Sequence, residues 1–108
     1  MSTSRLDQLF EFQKEEPNDP FILFAIALEF QKIDSTKAME YFTNLLLHHE
    51  NYTGTYYHAA KLLETLGKKE EAIKVYEKGI IICRNENKLK AVNELMSALN
   101  NLKDEEYH

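Results

Sequence analysis

The sequence is poor in the residues that end helices or cross-link chains. Its 108 residues include 3 Gly, 2 Pro, 1 Cys and no Trp. A single cysteine excludes an internal disulfide and any zinc site built from several cysteines. Because folds made of many short strands need frequent turn residues, this composition disfavours them and predicts an all-α chain.

A basic surface is also missing. Lys and Arg number 13 against 18 Asp and Glu, which gives a formal net charge of −5. The mean field of such a chain repels phosphate backbones and anionic bilayers, so we expect neither nucleic-acid nor membrane binding. No apolar run approaches the ~20 residues of a membrane-spanning helix, and no signal-peptide pattern is present. We therefore expect a cytoplasmic protein.

Signatures of catalysis and of metal binding are absent as well. There is no glycine-rich phosphate loop and no nucleophilic serine motif. His48 and His49 are adjacent, so on a helix they point about 100° apart and are poorly placed to share an ion. Cys83 lacks a neighbouring signal for a reactive thiol, so we expect it to be a small core residue. We expect His58 to be exposed or to line a binding surface and not to bind a metal. The sequence thus predicts no enzyme activity, no metal site and no cofactor.

The chain is rich in apolar residues at helical spacing, which form six segments separated by short polar joints. Ser4, Asp19, Asp34 and Thr53 stand at expected N-cap positions, and Gly67 stands at an expected helix end. Residues 79–83 are the only stretch that also fits a buried strand, and they have no second strand to pair with. Residues 104–108 are expected to fray.

Two pairs of these helices share their spacing. In the second helix of each pair, Ala38 and Phe42 recur 34 residues later as Ala72 and Tyr76. In the first helices the offset is 33 residues, and the matching positions are Leu23, Ile26, Ala27 and Phe30 with Tyr56, Ala59, Ala60 and Leu63. Together with Gly67 in the inner turn, this pattern resembles the tetratricopeptide repeat family, whose helix-turn-helix unit has 34 residues.

The resemblance covers residues 17–84 and has clear departures from the family pattern. The chain has no tryptophan, and Glu50 and Arg84 stand where a repeat would close with proline. The family implies an all-α fold, a short right-handed α-solenoid of antiparallel helix pairs with about six helices. We expect one domain over 1–108, with an N-terminal helix at 4–16, repeat 1 at 20–50, repeat 2 at 53–84 and a C-terminal capping helix at 87–103.

The resemblance also implies a function, a scaffold or adaptor that binds a protein or peptide segment in a concave groove. The first helix of each repeat lines that groove, so the candidate residues lie opposite the packing side of each helix. They are Phe21, Phe24 and Leu28 as apolar anchors, and Tyr57, His58 and Lys61 as orienting groups. Phe24 and Leu28 disfavour the family's carboxylate-gripping mode, which uses lysines and asparagines at these places.

The apolar face of the second helix leaves three interpretations open. The first helix covers it through Leu6, Leu9 and Phe10, or a second copy of the chain covers it in a homodimer, or a hydrophobic partner segment does. The second interpretation makes the chain a self-associating structural protein, which is the alternative to the adaptor.

Overall fold

The structure, a computed structural model, describes residues 4–105, which contain six α-helices and no strand. The helices are α1 (Arg5–Glu15), α2 (Pro20–Gln31), α3 (Ser35–His48), α4 (Gly54–Thr65), α5 (Lys69–Asn85) and α6 (Leu89–Asp104). Residues 79–83 lie inside α5, so their alternative interpretation as a strand is wrong. Of the tail expected to fray, Asp104 ends α6, and residues 106–108 lie outside the described range.

The helices form two compact units, Met1–Tyr52 and Thr53–His108, and the boundary falls between the two predicted repeats. Unit 1 holds α1 to α3, and there α2 packs against both α1 and α3. Unit 2 holds α4 to α6, and there α5 packs against both α4 and α6, while α4 and α6 also contact each other. Each unit therefore consists of one helix pair and one additional helix.

The helices of unit 1 begin where the sequence places their caps. Ser4 Oγ accepts a hydrogen bond from the Asp7 amide at 3.1 Å. Asp19 Oδ1 accepts one from Phe21 at 2.9 Å, ahead of a proline at the first position of α2. Asp34 Oδ1 accepts one from Lys37 at 3.1 Å. Each cap satisfies a backbone N–H that the helix itself leaves open and contributes about 1 kcal/mol.

The core of unit 1 combines small and aromatic side chains. Ala27 and Ala38 are fully buried at the contact of α2 and α3. Phe30 stacks on Tyr41 with ring centroids 5.8 Å apart, and the centroid of the Phe10 ring lies 6.0 Å from that of Phe30. The alanines allow the helices to approach, and the rings fill the space beside them. Phe10 and the buried Leu9 attach α1 to this core.

The two turns of unit 2 have the same geometry. Gly67 and Asn87 both adopt positive φ, of 77° and 59°. After each of them a backbone N–H reaches back to a carbonyl five residues earlier, Lys68 to Leu63 at 2.9 Å and Lys88 to Cys83 at 2.8 Å. A hydrogen bond of this kind ends a helix when the residue after the C-cap adopts the left-handed conformation. The helix end at Gly67 is confirmed.

The start of α4 differs from the prediction. Thr53 makes no side-chain cap hydrogen bond, because its φ of −69° and ψ of −22° are already helical. A capping side chain normally requires an extended backbone, from which it can reach the amides of the first turn. Thr53 Oγ1 instead accepts a hydrogen bond from Lys88 Nζ at 3.1 Å. The prediction that Thr53 caps α4 is therefore wrong.

The core of unit 2 contains a glycine at a close contact between helices. A Cβ at Gly79 of α5 would lie 2.6 Å from Tyr56 Cβ and 3.1 Å from Leu95 Cδ1. The missing side chain thus allows α5 to approach both α4 and α6. Cys83, one turn further along α5, is fully buried, and burial raises the pKa of its thiol. The expected core role of Cys83 is confirmed.

Candidate functional site

The two faces of α4 carry different side chains. Tyr56, Ala59, Ala60 and Leu63 are buried on one side. Tyr57 and Lys61 leave the helix on the other side, and Tyr57 remains 38% exposed. Because Tyr57 and Lys61 are four residues apart, they lie one helical turn from each other in a single stripe along α4. An aromatic ring and an ammonium group are therefore presented together.

This stripe forms one wall of an open groove within unit 2. The groove has a volume of about 910 Å³, and α6 provides its other wall. The α6 side chains in the groove are Lys90, Asn93, Glu94, Ser97, Ala98 and Asn101, and all except Ala98 are polar. The groove thus offers hydrogen-bond donors and acceptors of several kinds beside one aromatic surface.

The Lys61 ammonium group has two neighbours in this groove region. Its Nζ lies 5.9 Å from the centroid of the Tyr57 ring, within the range of a cation–π contact. It also lies 3.8 Å from Glu64 Oε2, an ion pair too long for a direct hydrogen bond. Lys61 is therefore held close to the aromatic ring rather than extended into solvent.

Glu64 is in turn bound by a buried tyrosine. The hydroxyl group of Tyr76, on α5, donates a hydrogen bond of 2.5 Å to Glu64 Oε2. Burial of Tyr76, reinforced by this carboxylate, raises the pKa of the phenol well above its usual value. The phenol consequently keeps its proton and remains a donor well above neutral pH.

His58 lies beside the groove but is not one of its lining residues. Its ring meets that of Tyr57 edge-on at 5.9 Å. Partial burial lowers the pKa of the imidazole, which favours the neutral form. Of the three candidates on α4, Tyr57 and Lys61 line the groove and His58 supports Tyr57.

The three apolar candidates on α2 lie in unit 1 and differ in exposure. Phe21 is 63% exposed, whereas Phe24 and Leu28 are half-buried. The Phe24 ring lies 6.3 Å from that of the buried Phe42 and 5.4 Å from that of Tyr52. Neighbours from α3 and the turn after it thus cover part of Phe24, and Phe21 is left as the exposed anchor.

The contribution of α6 was not anticipated from the sequence. Its polar residues are exposed, as on the outer side of a cap, but several also line the groove. A comparison of the α4 and α6 sequences contains a pattern that would have indicated this contribution. At an offset of 36 residues, the buried Tyr56, Ala59 and Leu63 match Val92, Leu95 and Leu99, and Tyr57 and Lys61 match Asn93 and Ser97. The last helix therefore repeats the pattern of a first helix.

Two other kinds of site are absent from the described part of the chain. Over residues 4–105, no three His, Cys, Asp or Glu side chains are grouped so that they could hold a metal ion. Within the same range, no helix has the length and apolar character needed to cross a bilayer.

Helix pairs that repeat along the chain, with a groove between the first-type helices α4 and α6, define a helical-repeat protein. The chain belongs to the tetratricopeptide repeat family. A solution structure of a tetratricopeptide repeat domain protein from Salinibacter ruber is 38% identical, covers 85% of this chain and 94% of its own, and superposes with a TM-score of 0.80. A crystal structure of such a protein from the same organism is 36% identical, covers 79% and 97%, and has a TM-score of 0.75.

A more distant structure extends the likeness of the fold. A protein from Bordetella parapertussis, solved in solution, is 16% identical over 96% of this chain and 91% of its own, with a TM-score of 0.83. No protein-family model and no curated protein matches the sequence. The resemblance to tetratricopeptide repeats and the predicted all-helical repeat fold are confirmed by these structures.

Proposed function

We propose that the chain is a protein-interaction module, a scaffold or adaptor without catalytic activity, that binds a peptide or helical segment of another protein. Membership of a family of interaction modules supports the general role. The cytoplasm is the proposed compartment, since its reducing conditions suit a chain with one buried cysteine.

The observation that carries the proposal is the groove of unit 2. It places an aromatic ring and a cation of α4 opposite amide, hydroxyl and charged groups of α6. Tyrosines that are partly exposed in a concave surface are frequent centres of binding energy, because a bound segment buries the ring while its hydroxyl keeps a polar partner. Tyr57 and Lys61 are the proposed contact residues of this unit, and His58 supports them.

Unit 1 has a proposed apolar contact surface of its own, on α2. Phe21 is its exposed anchor, and the half-buried Phe24 and Leu28 flank it on the same helix. An exposed aromatic residue suits a hydrophobic side chain of a partner protein.

The test is affinity capture followed by direct measurement of binding. Wild type, Tyr57→Ala and Ile81→Ala are compared, because Ile81 is an exposed apolar residue of unit 2 that is not one of the groove-lining residues. A partner captured by wild type and by Ile81→Ala is expected to be lost with Tyr57→Ala. Titration calorimetry with the bound segment as a synthetic peptide is expected to show an affinity about 30-fold weaker for Tyr57→Ala. Equal affinity for all three proteins would refute the proposal.

Self-association is the second candidate function, and the exposure of Phe21 is the observation in its favour. A second copy of the chain would then cover the apolar face of α2 and make a homodimer. The mass of the protein in solution separates this candidate from the first.

A further inference from the structure

The ion pair at the groove of unit 2 differs from two other pairs of the same spacing. Lys14 and Glu11, Lys32 and Glu29, and Lys61 and Glu64 each form an ion pair between residues three apart on one helix. The lysines of the first two pairs are 72% and 69% exposed, whereas Lys61 is 44% exposed. Among the glutamates, Glu11 is 70% exposed, and Glu29 and Glu64 are 25% and 21% exposed. Fully exposed pairs of this kind are mobile and contribute little.

A third residue contacts the ion pair at the groove. Tyr76 is fully buried, and its hydroxyl donates to Glu64 Oε2 at 2.5 Å. The same oxygen faces Lys61 Nζ at 3.8 Å, and Lys61 Nζ in turn lies 5.9 Å from the Tyr57 ring. The contacts thus lead from a buried core side chain on α5 to a cation in the groove.

We infer that Glu64 and Tyr76 are positioning residues for the groove, which hold the Lys61 ammonium group against the edge of the binding surface before any segment binds. Its use in binding rests on the proposed function. A lysine side chain has about four rotatable bonds, and immobilising such a chain opposes binding. When Glu64 and Tyr57 already restrict Lys61, the groove presents a pre-ordered donor. Part of the entropy that the lysine side chain would lose on binding is then lost on folding.

The test observes the free, full-length protein by NMR, so it requires no partner. Relaxation of the lysine ε-methylene groups is measured in wild type, Tyr76→Phe and Glu64→Gln. In wild type, the ε-methylene group of Lys61 is expected to be more ordered than that of Lys14, with its proton signals shifted by the Tyr57 ring. In both variants the order of Lys61 is expected to fall to the level of Lys14, and the ring shift is expected to disappear.

Each variant removes a different part of the arrangement. Tyr76→Phe keeps the buried ring and loses the hydroxyl, while Glu64→Gln keeps a hydrogen-bond acceptor for Tyr76 and loses the charge. Glu11→Gln is the matched control, because it alters an exposed pair of the same spacing and is expected to leave Lys61 unchanged. If one variant fails to fold, as judged by its backbone amide signals, the other carries the test.

The inference is overturned if Lys61 is as mobile as Lys14 in wild type, or if it stays ordered in a folded variant. Either result concerns the free protein alone, so it leaves the capture experiment on Tyr57 unaffected. Conversely, loss of the proposed partner role would not change the measured order of Lys61.

Discussion

At the scale of single residues, the packing of unit 2 depends on where side chains are small. Gly79 and Ala60 are buried on α5 and α4, and Tyr56 fills the space that Gly79 leaves. Helix propensity alone would favour alanine over glycine by about 1 kcal/mol at an interior helical position. The close contact reverses that preference, because the nearest atom is the Cβ of Tyr56, which cannot swing away as the end of a long side chain can.

Gly79→Ala is therefore expected to destabilise the protein. Overpacking of a buried contact costs about 1–3 kcal/mol, which exceeds the gain in helix propensity. We expect a net loss on the order of 1–2 kcal/mol, seen as a lower urea midpoint with an unchanged slope. Lys74→Ala, an exposed change on the same helix, serves as the control and is expected to stay within about 0.5 kcal/mol of wild type. A midpoint that rises for Gly79→Ala would show that α5 can move away without cost.

At the scale of helices, the ends of α4 and α5 show that one geometry can be encoded by two residues. Gly67 adopts its positive φ without steric cost, whereas Asn87 is one of the few other residues that tolerate the left-handed region. Both positions are followed by the same backbone hydrogen bond. The turn geometry therefore follows from the connection between the helices rather than from glycine itself.

Substitution at these turns is expected to separate backbone strain from packing. A Cβ at Gly67 would have no atom within 4 Å, so Gly67→Ala tests the backbone alone. We expect Gly67→Ala and Asn87→Ala each to lower the free energy of unfolding by about 1 kcal/mol, and Asn87→Gly to be at least as stable as wild type. Thermal and urea unfolding measure both effects. Asn85→Ala, at the last helical position of α5, is the control, and a loss at Asn87 no larger than at Asn85 would contradict this account.

Local signals explain which elements could be predicted from the sequence. Ser4, Asp19 and Asp34 cap their helices because the sequence pattern of a cap is contained in a few neighbouring residues. Thr53 has the same pattern, yet its backbone is helical and its hydroxyl is bound to Lys88, 35 residues away. The left-handed conformation of Asn87 was likewise not predictable, since asparagine is compatible with several turn conformations.

At the scale of the whole molecule, repetition made the fold predictable and limited the prediction of the site. The offsets of 33 and 34 residues identified two helix pairs, and the structures from Salinibacter ruber confirm the family. The polar side of α6, however, forms the second wall of the groove, which the expected capping role does not require. The offset of 36 between α4 and α6 is irregular, and the polar residues of α6 carry no signal of their own. The burial of Phe24 against Tyr52 similarly depends on a contact between distant residues.

The state of association is the remaining property of the whole molecule, and it depends on how much apolar surface α2 leaves open. A stable interface buries roughly 800 Å² on each partner, whereas a single aromatic side chain supplies about 200 Å² at most. Only Phe21 is mostly exposed among the three apolar candidates. We therefore expect light scattering at several concentrations to report the monomer mass of 12.7 kDa.

Two substitutions on α2 test whether this helix forms a dimer contact. Phe21→Asp is expected to leave both mass and stability unchanged, because the ring is largely in solvent. Phe24→Asp is expected to lower the free energy of unfolding by about 3 kcal/mol or more, because it places a carboxylate against Phe42 and Tyr52. A wild-type mass near twice that of the chain, restored to the monomer value by Phe21→Asp, would instead establish the homodimer and assign the exposed face of α2 to a second copy. A monomer at all concentrations leaves Phe21 free to bind a segment of another protein.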